Sequence, residues 1–246
     1  MVNEADFRDR AAGGNAMNEL ANADASAAVV PPPWKLTGDG WVLFYRFDRE
    51  FVRQPNAILP ELRGTWRGGL GAIAWMNYHT SGVGPYGELL FIPGRFQVGK
   101  RRYHSIARIY VSTAVSVVSG RANWGIPKDQ ADFSIQTAED GIDHLSAFAE
   151  GMPIARMAAR PGRARLPVNT ALCPVTLMQR YMGMIFYTPL RIRAGVRWLE
   201  VLQFESDPER FIDLGTARPL GAVKLDGFRI TFPVPRTQPA PELAQS

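Results

Sequence analysis

Short runs of aromatic and β-branched residues, separated by glycine or proline, dominate the hydrophobic pattern of this chain. Such runs are typical of β-strands. In residues 108–113 and 229–232, apolar and polar positions alternate, as they do in a strand with one buried face. The pattern predicts strands at residues 41–47, 71–78, 87–92, 103–118, 142–149, 196–204 and 228–234.

Helical signals are few. Residues 51–62 form a short candidate that two prolines interrupt, and residues 174–186, with a proline at the start and a Met/Leu/Tyr stripe, form the best one. The chain shows neither a short repeat nor a strand–helix–strand alternation. The pattern therefore predicts a mainly β fold with few helices, and we expect a closed or nearly closed antiparallel β-barrel, because closure removes exposed sheet edges.

Composition divides the chain into three parts. Residues 1–30 are rich in Ala, Asn, Asp and Gly and are predicted to form a flexible arm, residues 31–235 a single domain, and residues 236–246 a disordered tail. At 246 residues and 46% hydrophobic, the chain is long enough and apolar enough to bury a large core.

The net charge of +5 raises the question of nucleic-acid binding. The densest basic group consists of Arg156, Arg160, Arg163 and Arg165, and no aromatic residue lies between them to stack on bases. We therefore expect no nucleic-acid partner, and attribute the charge to a solvated surface or to the attraction of an anionic small molecule.

Cysteine and hydrophobicity bear on the compartment. The single cysteine, Cys173, excludes an intrachain disulfide and is more typical of a small buried apolar residue than of a nucleophile. The N-terminus lacks the apolar run of a signal peptide, and no apolar stretch is long enough to span a bilayer. The sequence predicts a cytoplasmic protein without a membrane partner.

Residues 120–128, GRANWGIPK, contain one of only four lysines in a chain whose other basic residues are all arginine. A guanidinium can neither lose its proton near neutrality nor form a Schiff base, whereas an amine can do both. An isolated lysine is usually a solvated surface charge. Here, however, Trp124, Ile126 and Pro127 surround Lys128 with apolar surface, which favours a reactive amine.

This segment resembles the active-site lysine motif of the acetoacetate decarboxylase superfamily. Residues 41–46 are similar to the family's early strand, which ends in a functional arginine, and residues 81–88 to the segment that carries its active-site glutamate. The run 219–233 is similar to its closing strands. The resemblance implies a cone-like β-barrel with an interior pocket, and a large homo-oligomer.

The resemblance also implies a reaction. Lys128 would form an imine with a β-keto acid or a related ketone, and the imine nitrogen would accept the electrons left when carbon dioxide departs. No metal or organic cofactor is needed. Glu88 would act in proton transfer or orientation, and Arg46 would position a carboxylate. The implied substrate-binding residues are Arg121, Trp124, Tyr86 and His79.

Composition alone gives different interpretations for two of these residues. Beside so many apolar neighbours, Glu88 would be expected at an outward strand position, and Arg46 as a surface charge or a structural salt bridge. The three histidines, His79, His104 and His144, lack metal-ligand spacing, so we expect no metal site.

Asp129 departs from the family pattern, which has a second lysine directly after the reactive one. A carboxylate facing Lys128 would stabilise the protonated amine, which cannot attack a ketone. Either Asp129 points outward, or the chemistry differs. Two alternatives therefore remain open: a Schiff-base aldolase or dehydratase, and a non-catalytic barrel that binds a small hydrophobic ligand.

Overall fold

The computed structural model describes residues 28–54, 57–170 and 175–240, and most of these residues lie in strands. The strands are β1 (Trp34–Arg46), β2 (Leu70–Thr80), β3 (Tyr86–Ile92), β4 (Arg95–Val98), β5 (Arg101–His104), β6 (Arg108–Val111), β7 (Lys128–Gln130), β8 (Asp132–Thr137), β9 (Asp143–Ala149), β10 (Met152–Asn169), β11 (Val175–Tyr181), β12 (Met184–Ser206), β13 (Arg218–Phe232) and β14 (Arg236–Pro239). The α-helix within these ranges is α1 (Ala114–Trp124), and short 3₁₀ helices lie at Phe51–Arg53 and Pro60–Thr65. In the described part of the chain, no helix has the length and apolar character needed to cross a membrane.

The strands form one open sheet in the order β4-β5-β11-β12-β13-β1-β2-β3-β6-β7. Strands β10 and β14 branch from β12, while β9 and β8 extend from β10. Neighbours run antiparallel except for the parallel pairs β5–β11 and β6–β7. Because the order ends at β4 and β7, which do not pair with each other, the predicted closed barrel is wrong, whereas the mainly β class with few helices is confirmed.

The two ends of this strand order, β4 and β7, are protected without closure. On the free side of β4, the backbone of Arg95 bonds to Arg67 and Gly68, with N···O distances of 2.8 and 2.9 Å. At the other end, helix α1 packs against β7. An edge whose polar backbone groups are satisfied or covered does not need a partner strand, which explains how an open sheet can be stable here.

Several elements differ from the sequence prediction. Residues 174–186, predicted to be helical, contain β11 and the start of β12, joined by a turn at 182–183. In β11 the consecutive residues Leu177, Met178 and Gln179 are all buried, and a strand buried on both faces cannot be told from a buried helix by its apolar pattern. Residues 103–118 hold β5, β6 and the first part of α1 rather than one strand.

The chain ends also differ from the prediction in part. Residues 236–239, placed in the predicted tail, form β14 and pair with residues 184–187 of β12. Most of the predicted N-terminal arm, Cys173 and residues 241–246 lie outside the described residues.

The two faces of the sheet carry different hydrophobic clusters. Alternation along β1 sends Trp41, Leu43 and Tyr45 into one cluster, while Leu36 and Phe44 line a cavity on the other face. The buried residues of the first face, here called the packed face, contact one another, whereas the second face encloses the cavity. The candidate site lies on the second face.

Candidate active site

Lys128 is held where helix α1 turns into strand β7. Gly125 ends the helix in the left-handed conformation, with φ of 63°, which favours glycine because it has no Cβ. Its N–H donates to the carbonyl of Arg121 at 3.0 Å, and the Ile126 N–H donates to that of Gly120 at 3.3 Å. The chain then enters β7, where Lys128 pairs with Ile109 of β6. The GRANWGIPK segment therefore comprises the end of a helix and the start of a strand.

Gly120 gives the lysine side chain its path. A Cβ at position 120 would lie 2.6 Å from Cδ and 2.8 Å from Cε of Lys128, closer than non-bonded carbon atoms approach. The lysine stem therefore crosses the helix at this glycine, and only 4% of residue 128 remains exposed. A larger side chain at position 120 would displace the amine.

The amine is part of a ring of buried polar groups. Lys128 Nζ donates to Glu88 Oε2 at 3.1 Å and to Ser116 Oγ at 3.0 Å, and Tyr78 OH donates to Glu88 Oε1 at 2.9 Å. Side-chain hydrogen bonds that join Tyr86 with Ser116 and with Tyr78 complete the ring. Every side chain in the ring is buried. The ring joins a nucleophilic amine, a carboxylate and three hydroxyl groups that can relay protons.

Both tyrosines remain protonated near neutral pH. Burial, reinforced by the charge of Glu88, raises the pKa of Tyr78 well above its usual range. Burial and the same carboxylate also raise the pKa of Tyr86, although its hydrogen bonds with Ser116 and Tyr78 act in the opposite direction. The Tyr86 ring centroid lies 5.1 Å from Lys128 Nζ, within range of a cation–π interaction. The two hydroxyl groups are therefore available as donors.

Strand β3 turns Glu88 toward the amine. On this strand Tyr86, Glu88 and Leu90 line the cavity, whereas Leu89 belongs to the opposite cluster. Gly87 lies between the two site residues, and a Cβ there would come within 2.8 Å of the Phe133 ring. Glu88 is thus buried at an inward position, not at the outward one that composition alone favoured.

The ring opens into a cavity of about 490 Å³. Its lining combines Lys128, Glu88, Tyr78 and Tyr86 with mostly aliphatic and aromatic residues, and ten of the strands contribute to it. Trp124 is buried in this wall and donates its indole N–H to the carbonyl of Pro233 at 2.8 Å. Pockets of this size and character bury most of a small organic ligand.

Asp129 points away from the cavity. Its Oδ1 lies 2.8 Å from Nη2 of Arg121, and both side chains are substantially exposed. The carboxylate that departs from the family pattern is therefore engaged on the surface, and the amine of Lys128 contacts Glu88 instead.

The structure brings together four of the seven residues proposed from the sequence: Lys128, Glu88, Tyr86 and Trp124. The other three lie elsewhere. Arg46 is exposed at the end of β1, Arg121 pairs with Asp129, and His79 faces solvent 3.4 Å from Asp39. On a strand, the residue beside a cavity-facing tyrosine points to the other face, which explains the position of His79 next to Tyr78.

Sequence reasoning missed Tyr78, Ser116 and the cavity-lining His104. Tyr78 could have been found from strand pairing, because it lies directly opposite Tyr86 in the β2–β3 hairpin. Ser116 precedes Gly120 by one helical turn and so shares its face, but the segment was assigned to a strand. Burial lowers the pKa of His104, and the nearby charge of Arg95 acts in the same direction.

Among the described residues, no three His, Cys, Asp or Glu side chains are grouped so that they could hold a metal ion. The side chains that meet at the site are an amine, a carboxylate and hydroxyl groups. This set suits covalent and acid–base chemistry.

Solved structures with a similar fold share little sequence with this chain. Acetoacetate decarboxylase from Legionella pneumophila is 13% identical with a TM-score of 0.65, covering 85% of this chain and 88% of that chain. An acetoacetate decarboxylase-like enzyme from Sphingomonas wittichii RW1 is 15% identical with a TM-score of 0.62, covering 85% and 93%. The enduracididine biosynthesis enzyme MppR, with HEPES bound, is 17% identical with a TM-score of 0.64, covering 87% and 90%. Identities this low establish the fold alone.

The sequence itself carries the family signal. A search among curated proteins found no match. The family model for acetoacetate decarboxylase matches residues 19–186, a stretch that contains Glu88, the α1–β7 junction and Lys128. This match covers more than half of the chain, and the chain therefore belongs to the acetoacetate decarboxylase family.

Proposed function

We propose that the protein is an imine-forming enzyme that decarboxylates a β-keto acid. The observation that carries this proposal is the buried contact between Lys128 Nζ and Glu88 Oε2, at 3.1 Å, in the wall of a largely apolar cavity. A lysine amine used as a nucleophile must be sheltered from water, have a partner that takes its proton, and face space for a carbonyl compound. Lys128 meets all three conditions.

In the first step the amine attacks the substrate ketone. Nζ must present a lone pair, and its proton passes to Glu88 Oε2 or through Ser116 Oγ, which lies 3.0 Å away. A C–N bond forms as the carbonyl oxygen takes a proton. Glu88 returns the proton as water leaves and the protonated imine forms, so that overall the ammonium form of Lys128 and the ketone are converted to iminium and water.

In the second step the bond to the carboxylate breaks. Its electron pair moves to the iminium nitrogen, carbon dioxide leaves, and an enamine remains. No arginine among the described residues lines the cavity, so the substrate carboxylate would lie beside Glu88 with the iminium as its cationic partner. Charge is lost as carbon dioxide departs, so such surroundings favour the reaction. A proton relayed through Tyr78 and Glu88 then reaches carbon, and hydrolysis frees the ketone.

A second candidate uses the same enamine differently. MppR has been solved with pyruvate and with the condensation product of pyruvate and imidazole 4-carboxaldehyde. In such a reaction the enamine would attack a second carbonyl rather than accept a proton. The cavity of about 490 Å³ has room for two small reactants, which supports an aldolase or dehydratase as the alternative.

The test is product analysis on a panel of β-keto acids, with and without an added aldehyde. Decarboxylation releases carbon dioxide and a ketone, whereas the alternative consumes the aldehyde and gives a condensation product. Both should be lost in Lys128→Arg, which keeps the charge and removes the reactive amine. Turnover that persists in Lys128→Arg would overturn the proposal.

A further inference from the structure

The formally charged groups that line the cavity lie at one end, and the other polar side chains of the lining are His104 and Thr170. The ring of Tyr78, Tyr86, Glu88, Ser116 and Lys128 occupies that end, and its two formal charges cancel as an ion pair. Away from this end, the cavity walls that β2 and β3 form are aliphatic or aromatic. The reacting groups therefore have one place to bind, and the remaining volume needs another occupant.

The strand register shows how far the apolar part extends. Beyond Glu88, the cavity-lining residues of β3 are Leu90 and Ile92, and Ala74 and Ala72 lie opposite them on β2. Ile92 lies four positions after Glu88, which at the rise of a strand is a distance of about 13 Å. The two alanines leave space where larger side chains would fill the trench. The apolar trench, defined by these four residues, thus leads away from the amine.

A four-carbon keto acid would not fill this cavity. Most of the roughly 490 Å³ would then hold water against aliphatic walls, where water finds few hydrogen-bond partners. No arginine lines the cavity in the described part of the chain, so a second carboxylate has no arginine partner along the trench. A linear alkyl chain matches both the length and the polarity of the space.

We infer that the substrate is a β-keto acid with a medium-length alkyl chain, whose keto acid head lies at Lys128 and whose tail lies in the apolar trench. This inference rests on the proposed function, and it specifies the substrate of that site. The tail contributes binding through burial of methylene groups. Chain length, not the keto acid head, then sets the preference among substrates.

The experiment compares 3-oxo acids of four, six, eight, ten and twelve carbons. We expect kcat/KM to rise about fourfold for each added methylene, which corresponds to about 0.8 kcal/mol, until the trench is full. Affinity is measured separately by calorimetry with 2-alkanols, which carry the same tails but no carbonyl and cannot form an imine. Their Kd should fall in the same steps.

Ala72→Leu narrows the far end of the trench. It should lower kcat/KM for the ten-carbon acid at least tenfold and leave the four-carbon acid within about twofold, because the amine end is untouched. Ala72→Ser, which adds little volume, should leave the preferred chain length unchanged. A loss of stability in Ala72→Leu would lower kcat/KM for all the substrates together, so the dependence on chain length distinguishes it from a filled trench.

The outcomes separate the two proposals. Turnover of the four-carbon acid that does not improve with length, together with a flat alkanol series, would overturn this inference and leave the proposed function standing. Tighter binding of longer alkanols, with no turnover of any acid, would support the apolar trench and contradict the proposed function.

Discussion

Two buried lysine–carboxylate pairs lie on opposite faces of the same sheet. Lys128 Nζ is 3.1 Å from Glu88, and Lys224 Nζ is 2.7 Å from Asp143. Lys224 lies between Val223 and Leu225, which line the cavity, and so points to the packed face. Its ammonium lies 4.8 Å from the centre of the Trp41 ring. Burial and ion pairing are thus common to both lysines.

The carboxylates differ in their partners. Asp143 accepts hydrogen bonds from Trp41 at 2.8 Å and Thr137 at 2.6 Å in addition to Lys224, and none of these four groups lines the cavity. Burial opposes the ionisation of Asp143, but the three hydrogen bonds outweigh it and hold its pKa below the usual value. One pair is enclosed by protein, whereas the other borders empty space. Access to that space, rather than burial, separates a candidate nucleophile from a structural cation.

The largest effect should come from exchanging each lysine for arginine. Lys128→Arg should lower kcat for decarboxylation by about a thousandfold or more, because a guanidinium cannot form the imine. Lys224→Arg keeps a cation beside Asp143 and should retain activity within a few-fold. Carbon dioxide release measures both. Equal losses in the two variants would show that the comparison is wrong.

Stability should respond in the opposite order. Lys224→Met leaves Asp143 charged in the packed face and should cost about 3 kcal/mol of the free energy of unfolding. Lys128→Met should cost less, about 1 kcal/mol, because Glu88 borders a cavity where it can be hydrated or protonated. Urea unfolding of both variants gives the two values. A larger loss for Lys128→Met would show that the Lys128–Glu88 pair, and not the Lys224–Asp143 pair, has the structural role.

Gly120→Ala tests the path of the reactive side chain alone. The new Cβ would displace Cδ and Cε of Lys128, and a misplaced amine should lower kcat by about tenfold to a hundredfold. The protein should still fold, since the end of a flexible side chain can move. Gly64→Ala is the matched control, because a Cβ at position 64 meets no atom within 4 Å. Normal kinetics in Gly120→Ala would argue against a fixed amine position.

The smallest effect is on the pH dependence of the free energy of unfolding, and it arises from Asp143 on the packed face. Because the pKa of Asp143 is lowered on folding, its stabilisation is present above the unfolded value of about 3.9 and is lost as the pH falls through the folded value. The difference in unfolding free energy between wild type and Asp143→Asn should therefore be constant near neutrality and shrink below about pH 4. A difference that grows on acidification would contradict the assigned sign.

The sequence indicated the Lys128–Glu88 pair but not its surroundings. Lys128 stood out because amines are rare in an arginine-rich chain, and Glu88 because of the family resemblance. Tyr78 and Ser116 were not identified, because the contacts of Tyr78 depend on the β2–β3 register, and Ser116 lies in a helix whose β-branched residues resemble a strand pattern. Arg46 and His79 were proposed as site residues and lie outside the cavity. Facing direction at strand ends is set by pairing, which local patterns do not fix.

The sequence predicted the mainly β class of the fold, but it did not predict that the sheet stays open. Runs of aromatic and β-branched residues between glycine or proline indicated the second half of β1, most of β2 and β3, and all of β9. Strand β10, however, contains four arginines together with proline and glycine, and its pairing with β12 is what holds it in the sheet. Protection of the open edges depends on the backbone contact between Gly68 and Arg95, which are distant in sequence, and on the packing of α1 against β7, neither of which a local pattern shows.

Trapping the imine tests the central claim most directly. The protein is incubated with a β-keto acid, reduced with borohydride and digested, and the mass of each lysine-containing peptide is measured. We predict a stable adduct on the peptide that contains Lys128 and none on the peptide that contains Lys224. An adduct shared equally by both lysines, or a turning-over enzyme with no adduct at Lys128, would contradict the account.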